Sequence, residues 1–214
     1  MRAKMDPLII CVFASGRGSN FDALLTRIEE DGIPARIGAV VSNSEQAGVL
    51  RIARERDIPA YYIERGQFET GEEFCQALED VFDRHNINFI ALAGYLRKIP
   101  TRIIRRFPNR MLNIHPALLP DFGGKGMYGI KVHEAVLASG ATVSGATIHI
   151  VDEEYDHGPI VLRREVPVLP GDTPEILAAR VLQVEHQIYA DAVRLFAENR
   201  VKVIGRMVRI EDPE

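Results

Sequence analysis

Leu8-Ile9-Ile10-Cys11-Val12-Phe13-Ala14, followed at once by Ser15-Gly16-Arg17-Gly18-Ser19-Asn20, is the stretch that decides the fold. Seven apolar residues in a row, without polar alternation, fit a strand covered on both faces. The glycine turn then leads into 21–30, a helix with Ser19 or Asn20 as its cap and Gly32 just past its end. Arg2 and Lys4 ahead of the apolar run imitate the start of a secretion signal. The run is short for that role and ends in a glycine loop and a helix, so a buried first strand is expected.

The alternation continues outward. Residues 35–42, 58–63, 88–94 and 110–115 read as strands, and 47–56, 71–86 and 101–107 as helices. Phe74, Leu78, Val81 and Phe82 sit at helical spacing in the second of these helices, and Pro108 stops the third. A Gly- and Pro-rich loop at 117–129 precedes a helix at 131–139. Two strands, 144–151 and 160–168, flank an acidic turn. A long helix at 174–198 carries the stripe Leu177, Val181, Val184, Ile188, Ala192 and Leu195, and a final strand at 201–210 closes the chain. Strands alternating with helices imply βαβ units and a parallel sheet; the later hairpin adds antiparallel strands. The expected class is therefore α/β, a mixed sheet, mostly parallel in its first half, with helices on both faces. In such sheets ligands sit beyond the carboxyl ends of the strands, here after the first, fourth and fifth.

Composition narrows the partners. The chain has 214 residues and a net charge of −4, which argues against non-specific nucleic-acid binding. No run approaches the ~18 apolar residues of a membrane span, and a cytoplasmic location is expected. Cys11 and Cys75 lie far apart without metal-ligand or redox spacing, so both read as reduced core residues. One domain over 1–214 is expected, with 1–115 as its phosphate-side half and 116–214 as the remainder.

Four places carry residues suited to chemistry. The Ser15–Asn20 turn opens a helix whose free N–H groups favour an anion, and it reads equally as a phosphate cradle or as a plain strand-to-helix turn. It is not a dinucleotide fingerprint, because Phe21 replaces the third glycine; Gly123-Gly124-Lys125 lacks the Walker spacing. Asn113 and His115 are two apart in an extended strand and share a face. An amide and an imidazole there suit hydrogen bonds to a developing oxyanion, or simply satisfy nearby backbone. The run His149-Ile150-Val151-Asp152-Glu153-Glu154-Tyr155-Asp156-His157 crowds carboxylates into a turn, one of which is placed to reach His115; no usual zinc or calcium spacing is present. Leu92 to Ile99 offers small and then apolar residues that suit either a flat ring or core packing. Glu185 adjoins the apolar stripe of the last helix.

Together, Ser15-Gly16-x-Gly18-Ser19-Asn20, Leu92-Ala93-Gly94-Tyr95-Leu96-Arg97, Leu112-Asn113-Ile114-His115-Pro116 with Leu118-Leu119-Pro120, His149-x-Val151-Asp152-x-x-x-Asp156-x-Gly158-Pro159-Ile160 and Glu185-His186 resemble the folate-dependent formyltransferase superfamily. Within it, the first loop resembles the phosphoribosylglycinamide formyltransferases. The resemblance runs from about Leu8 to about Gly205. It implies a three-layer Rossmann-like fold and direct transfer of a formyl group from 10-formyltetrahydrofolate to the amine of glycinamide ribonucleotide, without a metal. It further implies Asn113, His115 and Asp156 as the catalytic trio. Gly18, Ser19, Asn20 and Glu185 would hold the nucleotide; Leu92, Leu96, Arg97 and the segment Glu153, Glu154, Tyr155, Asp156 would contact the folate. A monomer or homodimer acting on small molecules is expected. The relatives that hydrolyse formyl folate or formylate a tRNA carry extra domains before or after this one, which are not expected here. The glycine-rich stretch at 121–129 differs from the shorter loop of other members.

Overall fold

The computed structural model describes residues 7–212; Arg2 and Lys4 lie outside them. Among the described residues, nine strands and six α-helices follow one another. In the first half these are β1 (Leu8–Phe13), α1 (Ser19–Glu30), β2 (Ala35–Ser42), α2 (Gly48–Glu55), β3 (Ala60–Tyr62), α3 (Gly71–Arg84), β4 (Phe89–Leu92), α4 (Thr101–Arg106) and β5 (Met111–His115). Then come α5 (Ile130–Ala138), β6 (Val143–Ile150), β7 (Ile160–Pro167), α6 (Pro174–Ala197), β8 (Val201–Ile204) and β9 (Met207–Ile210). Seven strands form one sheet in the order β3-β2-β1-β4-β5-β6-β7. Its first five members are parallel, while β6 runs antiparallel to both β5 and β7. The mixed α/β sheet with helices on both faces is therefore observed.

Strand parity explains the layers. In β1, Ile10 and Val12 point into the core shared with α1, α2 and α6, while Cys11 and Phe13 point into the core shared with α3 and α4. Both faces are apolar, hence the unbroken hydrophobic run. In β5 the same alternation sends Leu112 and Ile114 to the α1/α6 side and Met111 to the α3/α4 side. Asn113 and His115 share the side of Met111 by the same parity. On β6, Ala146, Ile148 and Ile150 join the α1/α6 core, leaving Thr147 and His149 on the polar side, opposite His115 and Asn113 in the ladder. At the carboxyl end of β5, loops rather than a helix cover this face. Across the other face, the Tyr189 hydroxyl of α6 donates to the carbonyls of Leu92 (3.0 Å) and Leu112 (3.3 Å), tying the ends of β4 and β5 together.

Two expectations are corrected. Neither Ser19 nor Asn20 caps α1: both already lie in its first turn, and the cap is Gly18 at φ 89°, with no side-chain cap bond. The single closing strand is instead a hairpin, β8 paired with β9 in a separate two-stranded sheet. Gly205, at φ 59°, turns the chain back between them.

Candidate active site

β1 pairs with β2 on one side and β4 on the other, so the chain changes direction across the sheet between β1 and β4. The loops leaving these two strands part there and open a cleft. Ser15 fixes them to each other: its N–H donates to the Gly94 carbonyl (3.0 Å), its hydroxyl accepts from Leu96 N (2.9 Å), and it donates to Asn43 Oδ1 (2.5 Å). Gly18 lets α1 start against α2. A Cβ at this position would lie 2.8 Å from Val49 Cα, and φ is positive besides. The first N–H groups of α1 have no intrahelical acceptor and belong to residues that line the cleft.

That cleft has a volume of about 840 Å³. The structure brings to its lining every expected site residue except Glu153. The Glu153 carboxylate instead pairs with Arg105 of α4 at 3.0 Å. Leu96 and Tyr155 stay 52% and 44% exposed at the cleft, and Lys98 lies 5.7 Å over the Tyr155 ring. Asn20 departs from an anion-facing role in its side chain: the amide donates to Glu185 Oε2 at 2.6 Å. Glu185 is buried, and burial raises its carboxyl pKa against the lowering effect of that bond.

Asn113, His115 and Asp156 converge on the polar face of β5. Asn113 Nδ2 donates to Asp156 Oδ1 (3.3 Å) and meets His149 Nε2 (3.0 Å). His149 Nδ1 lies 3.0 Å from the Ile150 carbonyl, and its Nε2 lies 3.5 Å from Asp156 Oδ1. His115 Nε2 donates to the Phe122 carbonyl at 2.8 Å, and its Nδ1 lies 3.5 Å from Asp156 Oδ2. The same Asp156 oxygen accepts Gly124 N–H at 2.9 Å. Asp156 and Phe122 both have positive φ, 54° and 55°. That conformation costs a non-glycine residue roughly 1–2 kcal/mol, and here it turns the Asp156 carboxylate and the Phe122 carbonyl onto the histidine.

The electrostatics separate the two titrating members. Burial lowers the His115 pKa below the ordinary imidazole value, outweighing Asp156 and the Phe122 bond, which raise it. The resting imidazole at neutral pH is uncharged. Burial alone would raise the Asp156 carboxyl; hydrogen bonding on the His149 side, His115 and the Gly124 N–H together bring it below the usual range. An ionised carboxylate beside a neutral imidazole is an arrangement that can accept a proton and stabilise the charge it creates.

Four residues of the site are given no role by the sequence reading. His149 stands directly across from Asn113, a relation set by strand register. Gly123 and Gly124 back Asp156: a Cβ on Gly123 would lie 2.5 Å from Leu119 Cδ2 and 3.2 Å from Asp156 Cβ. His133 of α5 is buried and lines the cleft. Among the described residues, no group of three or more His, Cys, Asp or Glu is placed to hold a metal ion, and no helix is long and apolar enough to cross a membrane.

The family model described as formyl transferase matches residues 8–193. A chloroplastic phosphoribosylglycinamide formyltransferase of Arabidopsis thaliana is 44% identical over 90% of this chain, which spans 66% of that relative's length. The phosphoribosylglycinamide formyltransferase of Haemophilus influenzae is 34% identical, with 94% of this chain and 93% of that protein covered. Among solved structures, glycinamide ribonucleotide transformylase 1 from Symbiobacterium toebii superposes with a TM-score of 0.91 at 38% identity, covering 99% of this chain and 98% of that one.

Proposed function

Because the chain belongs to the formyl transferase family, we propose that it moves the formyl group of 10-formyltetrahydrofolate to the amine of glycinamide ribonucleotide, a step of purine biosynthesis. The observation that carries the reading is one cleft holding both a helix N-terminus open to an anion and the Asn113–His115–Asp156 network. The nucleotide phosphate lies on the backbone N–H groups of Gly18, Ser19 and Asn20, and Glu185 accepts from the ribose hydroxyls. On the donor side, Leu92, Leu96 and Tyr155 present apolar surface, part of it exposed, which suits a flat heteroaromatic ring. Arg97 and the backbone from Glu153 to Asp156 complete that side.

The folate supplies the formyl group; the protein supplies position and charge. The amine attacks the formyl carbon directly. Asn113 Nδ2 donates to the developing oxyanion in exchange for its longer bond, the 3.3 Å contact with Asp156. His115, neutral at rest, takes up the amine proton on Nδ1, where Asp156 at 3.5 Å balances its charge, and turns its Nε2–H from the Phe122 carbonyl to the same oxyanion. Collapse of the tetrahedral adduct breaks the bond between the formyl carbon and N10 of the folate, and the proton lost by the amine passes by way of Asp156 and His115 to that departing nitrogen.

The test is a steady-state assay with 10-formyl-dideazafolate, with and without glycinamide ribonucleotide. Formyl loss that needs the ribonucleotide and yields its formylated product is expected. Equal loss without it would identify a hydrolase. His115→Ala should abolish transfer while the fold persists; near-normal kcat in that variant would remove His115 from the mechanism.

A further inference from the structure

The proposed chemistry leaves one buried histidine of the cleft without a task. His133 lies one turn into α5 and is only 3% exposed. Its Nδ1 is fully enclosed and has no hydrogen-bond partner. A buried polar atom without a partner costs stability, so its retention calls for a compensating use. The residue sits beside the reacting groups, close enough for His115 to influence its charge: burial first, and His115 second, lower its pKa. It is therefore a neutral imidazole, with one N–H and one lone pair to place.

The surroundings decide which goes where. Nδ1 is sealed inside the protein, which leaves Nε2 as the atom able to meet a ligand. A sealed lone pair close to the positive end of α5 is better tolerated than a sealed N–H with no acceptor, so the proton belongs on Nε2. The wall that presents it is also defined. α5 packs on α6 and α6 on α1, and these elements bring Ser19, Asn20 and Glu185 to the cleft. Of the folate-facing residues, Leu92 ends β4, and Leu96 and Tyr155 come from the loops after β4 and β6. His133 thus belongs to the nucleotide wall, next to the histidine of the reacting centre.

We propose that His133 is a substrate-binding residue that donates a hydrogen bond from Nε2 to an oxygen of the acceptor nucleotide. The inference rests on the transferase reading above and adds a contact to it. A donor at this point orients the amine end of the nucleotide toward the formyl carbon without taking part in proton transfer.

The experiment compares wild type with His133→Leu and His133→Gln in the two-substrate assay, together with thermal unfolding. In His133→Leu, KM for glycinamide ribonucleotide should rise about tenfold, as expected for loss of one well-placed bond. KM for the folate should stay unchanged, and Tm should hold or rise, because an unpartnered polar atom has been removed. His133→Gln, which keeps a donor near the Nε2 position, should restore most of the affinity. An unmoved nucleotide KM in His133→Leu overturns the contact. So does a parallel rise in both KM values with a lowered Tm, which would mark a packing residue. Wild-type protein that does not formylate overturns the transferase reading and this contact with it, whereas normal wild-type turnover with an indifferent His133→Leu overturns the contact alone. Should His133→Leu fail to fold, nitrogen NMR of wild-type histidines replaces it. A ring shift of His133 on adding the ribonucleotide supports the contact, and its absence refutes it.

Discussion

The turn after β1 and the loop that carries Asp156 both face the same cleft, but they are built from different material. The first is backbone. Gly18 sets the start of α1, Ser15 pins the turn to Gly94, Leu96 and Asn43, and Ser19 and Asn20, whose N–H groups open α1, line the cleft. The second is a side-chain network: both Asp156 oxygens accept N–H donors from elsewhere in the chain, one from Asn113 and one from Gly124. From outside, Arg105 holds the loop at Glu153, and Arg206 from the β8–β9 turn reaches the His157 carbonyl. A backbone cradle survives the loss of any one side chain, because its donors are in the main chain. A network in which each group orients the next does not. Substitutions should therefore act on binding at the first loop and on turnover at the second.

The strongest break of that contrast is Asp156→Asn. Because both carboxylate oxygens face donors, an amide must set one of its own N–H groups against Asn113 or Gly124. Loss of the charge opposite His115 adds to this. We expect kcat to fall on the order of 10³-fold with little change in either KM, read by single-turnover kinetics on protein whose near-UV circular dichroism is intact. A kcat within about tenfold of wild type would show that the network is scaffolding rather than chemistry.

On the other side, Gly18→Ala attacks the cradle at the one point where it depends on a residue type. The new Cβ meets Val49 at 2.8 Å, with φ held at +89°. Strain and overpacking together should cost about 2 kcal/mol of stability. The nucleotide KM should rise, while kcat at saturating nucleotide stays near wild type. An unchanged denaturation midpoint would mean that α1 can shift freely, and the turn would lose its claim to be rigid.

These two sites were unequally legible in the sequence. Strand parity alone put Asn113 and His115 on one face, because two residues apart in an extended strand share a side whatever the tertiary structure. Asp156 stood among several acids of one turn, and only the family resemblance singled it out. Its bonds run to residues 43 and 32 positions away, and no local rule reaches that far. His149 opposite Asn113 needed the β5–β6 register, which depends on how a long intervening segment folds. The cap of α1 was misread because Ser and Asn are strong caps in general. Here close packing on Val49 reserves the cap position for a glycine and draws both polar residues into the helix.

Acid sharpens the contrast by acting on buried imidazoles. His115 and His133 both have pKa values lowered from the ordinary 6.5, burial being the first cause in each. Below about 6.5 the unfolded chain therefore binds protons that the folded chain refuses, so stability falls as pH drops from there toward the folded-state values. Tm should decline between about pH 7.5 and pH 5.5, and His133→Leu should remove part of the decline. A Tm profile that is flat for wild type over this range would show that the two imidazoles charge freely in the folded protein.

The smallest effect is expected where a side chain merely assists a backbone site. Ser19 lies in the first turn of α1 and lines the cleft, yet the N–H groups beside it would remain after its hydroxyl is removed. One neutral hydrogen bond is worth roughly 0.5–1.5 kcal/mol. Ser19→Ala should accordingly raise the nucleotide KM about three- to tenfold and leave the folate KM, kcat and Tm in place. The result discriminates because the two loops predict opposite columns of a kinetic table. A fall in kcat with an unmoved nucleotide KM would place Ser19 in the reacting network, and the division between a backbone cradle and a side-chain network would then fail at its simplest point.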